Sequence, residues 1–454
     1  MLEGLYKFVA IALSLLIFAQ AYSIRMAVGT YIFPACLFAL AWFLFTFLPL
    51  VILFDVPVNP ISILYLFNCV SAFSLGALPF NWRYAFEANK SKSLEDYSKF
   101  DSRLIIYLFV ISGVSSIMFS TISVTTNGFE LSSLMFNLLE TSGRYAALRG
   151  NGYLEYNVWG VLSTFFTYAT PIFGGLIYQQ RQKYLKKSII LSVAFIPSLY
   201  FMLTQSAKLI IFYSIGFYFG SVLLKKIYLN KLDLFNKTFL FRLMVGILLF
   251  IPLVLISFIS REGYYEYLGS DLLYGILAYS VKSYAFGQVY AFSDFLSEFL
   301  GSQSQLTYVH DYGSYGWYTL TSVMDLFGDK YFPPGTFYDS YAYKDFFATN
   351  IFTLFRGLIY DFGGFGSIVF MFVCGLIAHA FFYILLTSRS SWSACSVFII
   401  TVVFIQGSYL VSILMARYTY LLLLAFILIF YCNDQFCKYK SKRQKLLTRA
   451  NRTG

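Results

Sequence analysis

The chain has 454 residues, of which 59% are apolar and only 12% charged; 33 Lys and Arg against 22 Asp and Glu give a net charge of +11. A soluble domain carries about 25% charged residues, so this composition excludes a soluble globular protein, and with it disordered, collagen-like and disulfide-framed chains. The mean hydropathy of +0.68 makes the bilayer the relevant solvent, and the basic excess reads as membrane topology rather than nucleic-acid binding.

Lipid offers backbone groups no hydrogen bonds, and its apolar core of about 30 Å takes roughly 17 to 25 apolar residues per helix. On that template eleven spans are predicted, at 8–24, 30–54, 61–80, 104–124, 158–178, 188–203, 209–224, 239–258, 366–386, 394–405 and 411–431. The first carries no convincing small-residue cleavage site and is read as a span, not a signal peptide. If the basic tail 438–454 is cytoplasmic, strict alternation puts 23 of the 33 Lys and Arg on its side. That satisfies the positive-inside rule, with the N-terminus outside and the C-terminus inside. The expected fold class is therefore an all-α polytopic protein forming a single integral membrane domain over 1–454.

Two outside segments exceed a connection. Segment 125–157 carries Glu130, Glu140, Arg144, Arg149 and Glu155, and its Leu131, Leu134, Met135, Leu138 and Leu139 follow an amphipathic helical period suited to the interface. The larger segment, 260–361, holds eleven acidic and five basic residues and 16 of the 39 tyrosines. Tyrosine at headgroup depth is an ordinary aromatic belt. An acidic, tyrosine-rich surface also suits a carbohydrate, whose C–H faces stack on rings while its hydroxyls bond to carboxylates. The runs 272–279 and 284–300 are helical in period but too polar to span, and are predicted as short helices lying on the membrane; 332–336, with Pro333, Pro334 and Gly335, signals a turn.

Charge within the membrane is costly unless paired or used. Alternation brings Lys208, Arg261, Arg356 and Arg417 to the same outer face. Arg356 either pairs with Asp361 and snorkels, or holds an anionic group, because guanidinium binds phosphate bidentately. Glu262, Asp361 and His310 are candidates for proton transfer, whereas His379 lies within a span and is read as packed. The six cysteines form no CxxC pair or metal-spaced cluster, and no phosphate loop, dinucleotide fingerprint, HExxH or nucleophile elbow is present.

Eleven predicted spans, a large outer loop ahead of the ninth, and the stretches Thr204 to Lys208, Arg261 to Phe295 and Asn350 to Gly366 together resemble the bacterial O-antigen polymerases, the Wzy-type oligosaccharide repeat-unit polymerases. The resemblance implies a glycosyltransferase of the inner membrane, similar in architecture to the GT-C class, with its site facing the periplasm. It implies joining of undecaprenyl-diphosphate-linked repeat units without cofactor or metal, with membrane lipid and a chain-length regulator as candidate partners and no nucleic acid. Some members carry an arginine, ten residues and a glycine in their outer loops; Arg149 to Gly160 has that spacing, whereas Arg261 and Arg356 are followed by Leu272 and Ser367 at the equivalent places. On this reading Arg356, Arg261, Lys208, Arg417 and Arg149 hold the diphosphate, and Glu262, Asp361 or His310 takes the proton of the attacking hydroxyl. A ligase transferring glycan to lipid A core, a flippase or transporter, and a scaffold are the competing readings. The acidic loop, the absence of an internal repeat and the one-sided polar residues weigh against them.

Overall fold

The computed structural model describes residues 2–91, 103–151, 153–154, 157–178, 187–234, 255, 259, 271–301, 308, 314–320, 324, 337, 339–388, 391–410 and 419–453. This is an all-α membrane protein with one small hairpin among the described residues. Seven described helices are long and apolar enough to cross a membrane. They include α1 (Leu2–Val28), α2 (Pro34–Ile52), α5 (Arg103–Thr126), α8 (Val158–Tyr178), α10 (Lys208–Tyr228), α13 (Leu354–Ser388) and, at the C-terminal end, α15 (Thr419–Thr453). Shorter apolar helices α3 (Pro60–Leu75), α9 (Lys187–Gln205) and α14 (Trp392–Gly407) stand at the predicted third, sixth and tenth spans. The predicted eighth span, 239–258, lies outside the described residues except for Leu255.

Local chemistry sets several helix starts. Pro60 opens α3 while the Asn59 side chain accepts from the Ile61 amide at 3.0 Å, which satisfies one of the orphan donors of a helix end. Ser391 caps α14 in the same way, and Asn81 caps the short α4 (Trp82–Lys90). Between helices, small hydroxyl residues replace bulky ones. Ser112, Ser116 and Ser120 lie along one face of α5, and Ser116 meets Thr167 of α8 at 2.6 Å while Thr170 donates to Ser112 at 3.1 Å. Such faces let membrane helices approach closely and bond across the contact. Gly76 and Gly375 do the same for α3 against α13, where backbone meets backbone.

The connections sort into two ends. At one end Thr30 donates to the Leu232 carbonyl and Asn89 to Asn230. His379, 0% exposed, packs nearby against Phe33, Phe73 and Trp82 with Nδ1 2.6 Å from the Gly375 carbonyl. At the other end α6 (Leu131–Phe136) and α7 (Leu138–Gly150) follow α5, and most of the described part of segment 271–361 gathers.

That segment differs from expectation in two respects. Residues 271–299 form a continuous rod, α11 (Asp271–Val281), a π turn (Lys282–Phe286) and α12 (Gly287–Phe299), and α12 does not lie on a membrane surface. It is inserted into the protein, with Val289, Tyr290, Ala291, Phe292, Phe295 and Leu296 all buried. Several of its polar residues are matched internally: Ser293 accepts from the Asn59 amide, Ser297 from the Asn59 side chain, and Tyr290 is bonded by Lys7. The second difference is a hairpin, β1 (Tyr341–Tyr343) and β2 (Phe347–Thr349), pairing Tyr341 with Thr349 and Tyr343 with Phe347. Alternation turns Phe347 and Thr349 inward, onto α12.

Candidate functional site

Helix α13 begins at Leu354, whose amide donates to the Ser408 carbonyl at 3.0 Å, and it breaks at Gly363, where φ is 71° and ψ is 175°. That conformation is open to glycine and costly for other residues. The break separates a short buried turn of helix, 354–362, from the apolar rod that follows, and Tyr65 of α3 donates to the Gly364 carbonyl beside it at 2.9 Å. The short piece presents Arg356 and Tyr360 on one face, four residues apart.

Arg356 is 1% exposed. Its guanidinium carbon lies 3.9 Å from the Phe352 ring centre, 4.0 Å from Phe337, 4.8 Å from Tyr308, 5.1 Å from Phe295 and 5.2 Å from Tyr360. Nη2 donates to Asp339 Oδ2 at 2.6 Å and to the Tyr360 hydroxyl at 2.9 Å. Nε and Nη1 have no hydrogen-bond partner among the described residues. The expected pairing with Asp361 is replaced by one with Asp339, 17 residues away across the hairpin, and Arg356 is enclosed rather than snorkelling. The rings compensate part of the desolvation, since a cation over an aromatic face gains about 0.5 to 2 kcal/mol.

Asp361, 2% exposed, faces a different segment. Oδ1 accepts from the Ser314 hydroxyl at 2.6 Å and the Tyr318 amide at 3.1 Å, and Oδ2 from the Thr319 amide at 2.7 Å. Its carboxylate holds 314–320 against α13, where Tyr318 stacks on both Phe337 and Tyr360. An Asp361→Asn variant keeps one acceptor oxygen but turns an amide N–H2 toward N–H donors, at a cost of roughly 1 to 3 kcal/mol per unsatisfied group. The expected result is faster proteolytic cleavage within 314–320 and a lower Tm in detergent. An unchanged cleavage rate would show that the carboxylate does not hold the segment.

A third carboxylate, Asp294 of α12, accepts from the Tyr308 hydroxyl at 2.7 Å, and Glu298 one turn on accepts from the Tyr308 amide at 3.1 Å. Burial, with Asp294 adding to it, pushes the Tyr308 phenol well above the usual tyrosine range while Arg356 pulls it back. Tyr308 thus stands between the guanidinium and Asp294. Lys208, half-buried at the start of α10, places Nζ 5.5 Å from the Tyr284 ring on the rod that leads to Asp294.

Of the residues singled out by sequence, Arg356, Asp361 and Lys208 share this end of the bundle. Arg149 is exposed near the end of α7, a helix that packs on α9. Arg261, Glu262, His310 and Arg417 lie outside the described residues. Sequence reasoning missed Asp339, Asp294 and Lys7. Lys7 of α1 is 2% exposed and donates to the Leu53 carbonyl at 3.0 Å and the Tyr290 hydroxyl at 2.8 Å. Lys7 lies one residue before the predicted span 8–24, and only the longer helix α1 brings it inside. For Asp294 and Asp339 no local pattern distinguishes them from the other loop carboxylates. Many of the loop's rings are internal, while Tyr274, Tyr279 and Tyr315 remain exposed and able to stack on a ligand. Compared with known proteins, the chain matches no family model, no curated protein and no solved structure.

Proposed function

We propose that the protein is a membrane glycosyltransferase that joins lipid-diphosphate-linked oligosaccharide repeat units into a longer polysaccharide, as the resemblance to O-antigen polymerases implies. The observation that supports this best is the enclosed Arg356, set among rings and carboxylates at one end of an apolar bundle with two guanidinium nitrogens, Nε and Nη1, unbonded among the described residues. Breaking the anomeric bond leaves a lipid diphosphate whose growing negative charge needs preorganised donors in a site screened from water. Arg356 and Lys208 are assigned that role, with Arg261, Arg417 and Arg149 completing it. The exposed Tyr274, Tyr279 and Tyr315 receive sugar faces. On this reading the chain has eleven spans with the N-terminus out and the C-terminus in, and this end faces the periplasm from a bacterial inner membrane.

The experiment is the length profile of surface polysaccharide, read as a gel ladder, in cells with and without the gene. Collapse to a single repeat on an otherwise capped core is the expected result. Loss of all capping with long lipid-linked glycan accumulating would assign the chain to the ligases, and loss of both would assign it to transport.

A further inference from the structure

We propose that the hairpin 341–349, together with Asp339 just ahead of it, is a lid over Arg356, and that Asp339 occupies the place a substrate diphosphate takes when the lid swings out; this rests on the glycosyl-transfer reading above and adds how its site opens. Arg356 is 1% exposed, so in the enclosed geometry no diphosphate reaches it from the membrane. Two of the groups that cover it stand on the chain leading into β1. Phe337 lies 4.0 Å from the guanidinium carbon, and Asp339 is bonded to Nη2 at 2.6 Å.

The Asp339 carboxylate imitates a phosphate. Its oxygen on Nη2 makes the charge-assisted bond that a phosphate oxygen would make, but it engages a single nitrogen, and Nε and Nη1 carry no partner among the described residues. A diphosphate offers several oxygens and binds a guanidinium bidentately, so it displaces a carboxylate held at one point. A ligand opens a closed state only by as much as it prefers the open one, and the two unused nitrogens supply that preference.

The hairpin is built to move as a unit. Two strands of three residues are marginal by themselves, so their position depends on what lies beneath them. Phe347 and Thr349, 0% and 5% exposed, sit on α12 at Gly287. A Cβ there would fall 2.9 Å from Thr349 Cγ2 and 3.1 Å from Phe347 Cε2, so glycine is what allows the seat. At the rim Lys282 Nζ lies 3.5 Å from the Phe346 ring centre, and the Tyr343 hydroxyl donates to the Asp55 carbonyl at 3.4 Å. Ala342, Lys344 and Asp345 are exposed. Thr349 pairs with Tyr341, so tying Thr349 to α12 also fixes the end of the hairpin at which Asp339 enters.

The test uses the purified full-length chain in phosphatidylcholine proteoliposomes, with lipid-linked single repeats extracted from cells lacking the gene as the probe. Gly287→Cys with Thr349→Cys sets the two Cβ atoms 3.2 Å apart, close enough to form a disulfide. Oxidised, this chain should make no polymer, and reduced it should elongate the repeats as wild type does; oxidised wild type is the control. Elongation by the oxidised pair at its reduced rate would overturn the lid. In Thr349→Cys alone, maleimide labelling at position 349, read by mass spectrometry, should quicken about 10-fold when repeats are added, and adding Asp339→Asn should quicken it as much without them. Labelling that is indifferent to the repeats or to Asp339→Asn would equally sink it. Phosphatidylglycerol in place of the repeats should leave the basal rate, and an equal rise would give the opening to any lipid phosphate and overturn the assignment to substrate. Hydrogen exchange of the 341–349 amides in wild type needs no substitution and should also quicken with the repeats; if Thr349→Cys does not accumulate, unchanged exchange overturns the lid. Should wild type make no polymer, the glycosyl-transfer reading fails, while labelling with and without Asp339→Asn still decides whether Asp339 holds the lid.

Discussion

Replacing Arg356 by Ala is expected to abolish long polysaccharide and to loosen the loop at the same time. The substitution leaves Asp339 without the cation it faces at 2.6 Å and opens a void between Phe337 and Phe352, the two rings within 4.0 Å of the guanidinium. Removing one partner of a buried pair costs about 3 to 5 kcal/mol, more than the pair itself contributes, because the remaining charge stays desolvated. Loss of activity alone would therefore not separate anion binding from folding. A paired change does. Arg356→Met with Asp339→Asn removes both charges and keeps the volume, and such replacements are often neutral for stability. The double variant should regain the Tm and protease resistance of wild type yet form only single repeats. Restored ladders in that variant would reduce Arg356 to a structural residue. Arg356→Lys, which keeps the charge but loses the planar fork, should leave short chains at best.

At the α3–α13 crossing, Gly375→Val should prevent the protein from accumulating in the membrane. A Cβ at Gly375 would fall 2.7 Å from the Phe73 carbonyl carbon and 2.8 Å from its Cα, and Gly76 meets Leu376 and Gly375 backbone in the same contact. Backbone cannot rotate away as a side chain can, so the two helices must separate. Overpacking costs about 1 to 3 kcal/mol even where side chains yield, and here the shift also moves Asn59 and Tyr65, which α3 contributes to the loop end. Gly275→Ala, where nothing lies within 4 Å, is the control and should accumulate normally. The measurement is the amount of folded protein in membranes by detergent-extracted size-exclusion profile. Equal profiles for the two variants would mean that close approach at Gly375 does not hold the bundle.

These effects explain what each level of information could reveal. Hydropathy alone located the seven described helices long enough to cross a membrane, because a bilayer forces every backbone group into a helix and leaves only length and apolar character to read. The ninth span was therefore placed at 366–386. The structure extends that helix back to Leu354 with a break at Gly363. Hydropathy was silent about α12, since an amphipathic period is the same for a helix lying on lipid and for one inserted into protein. Partners decide between the two, and Asn59, Lys7 and Tyr308 supply them.

The candidate site divides in the same way. Its chemistry was legible as a bias: cations at one end of alternating spans, acids and tyrosines in one loop. Its pairings were not. Arg356 finds Asp339 through the hairpin turn at Lys344, while Asp361, five residues along the chain, faces the other way to hold 314–320. Sequence by itself determined the solvent of this protein, its helical class and which segment gathers polar groups. Only the tertiary structure decided which of those charges are enclosed, which are matched and which are left to act, because burial and pairing depend on residues that the chain brings together from far apart.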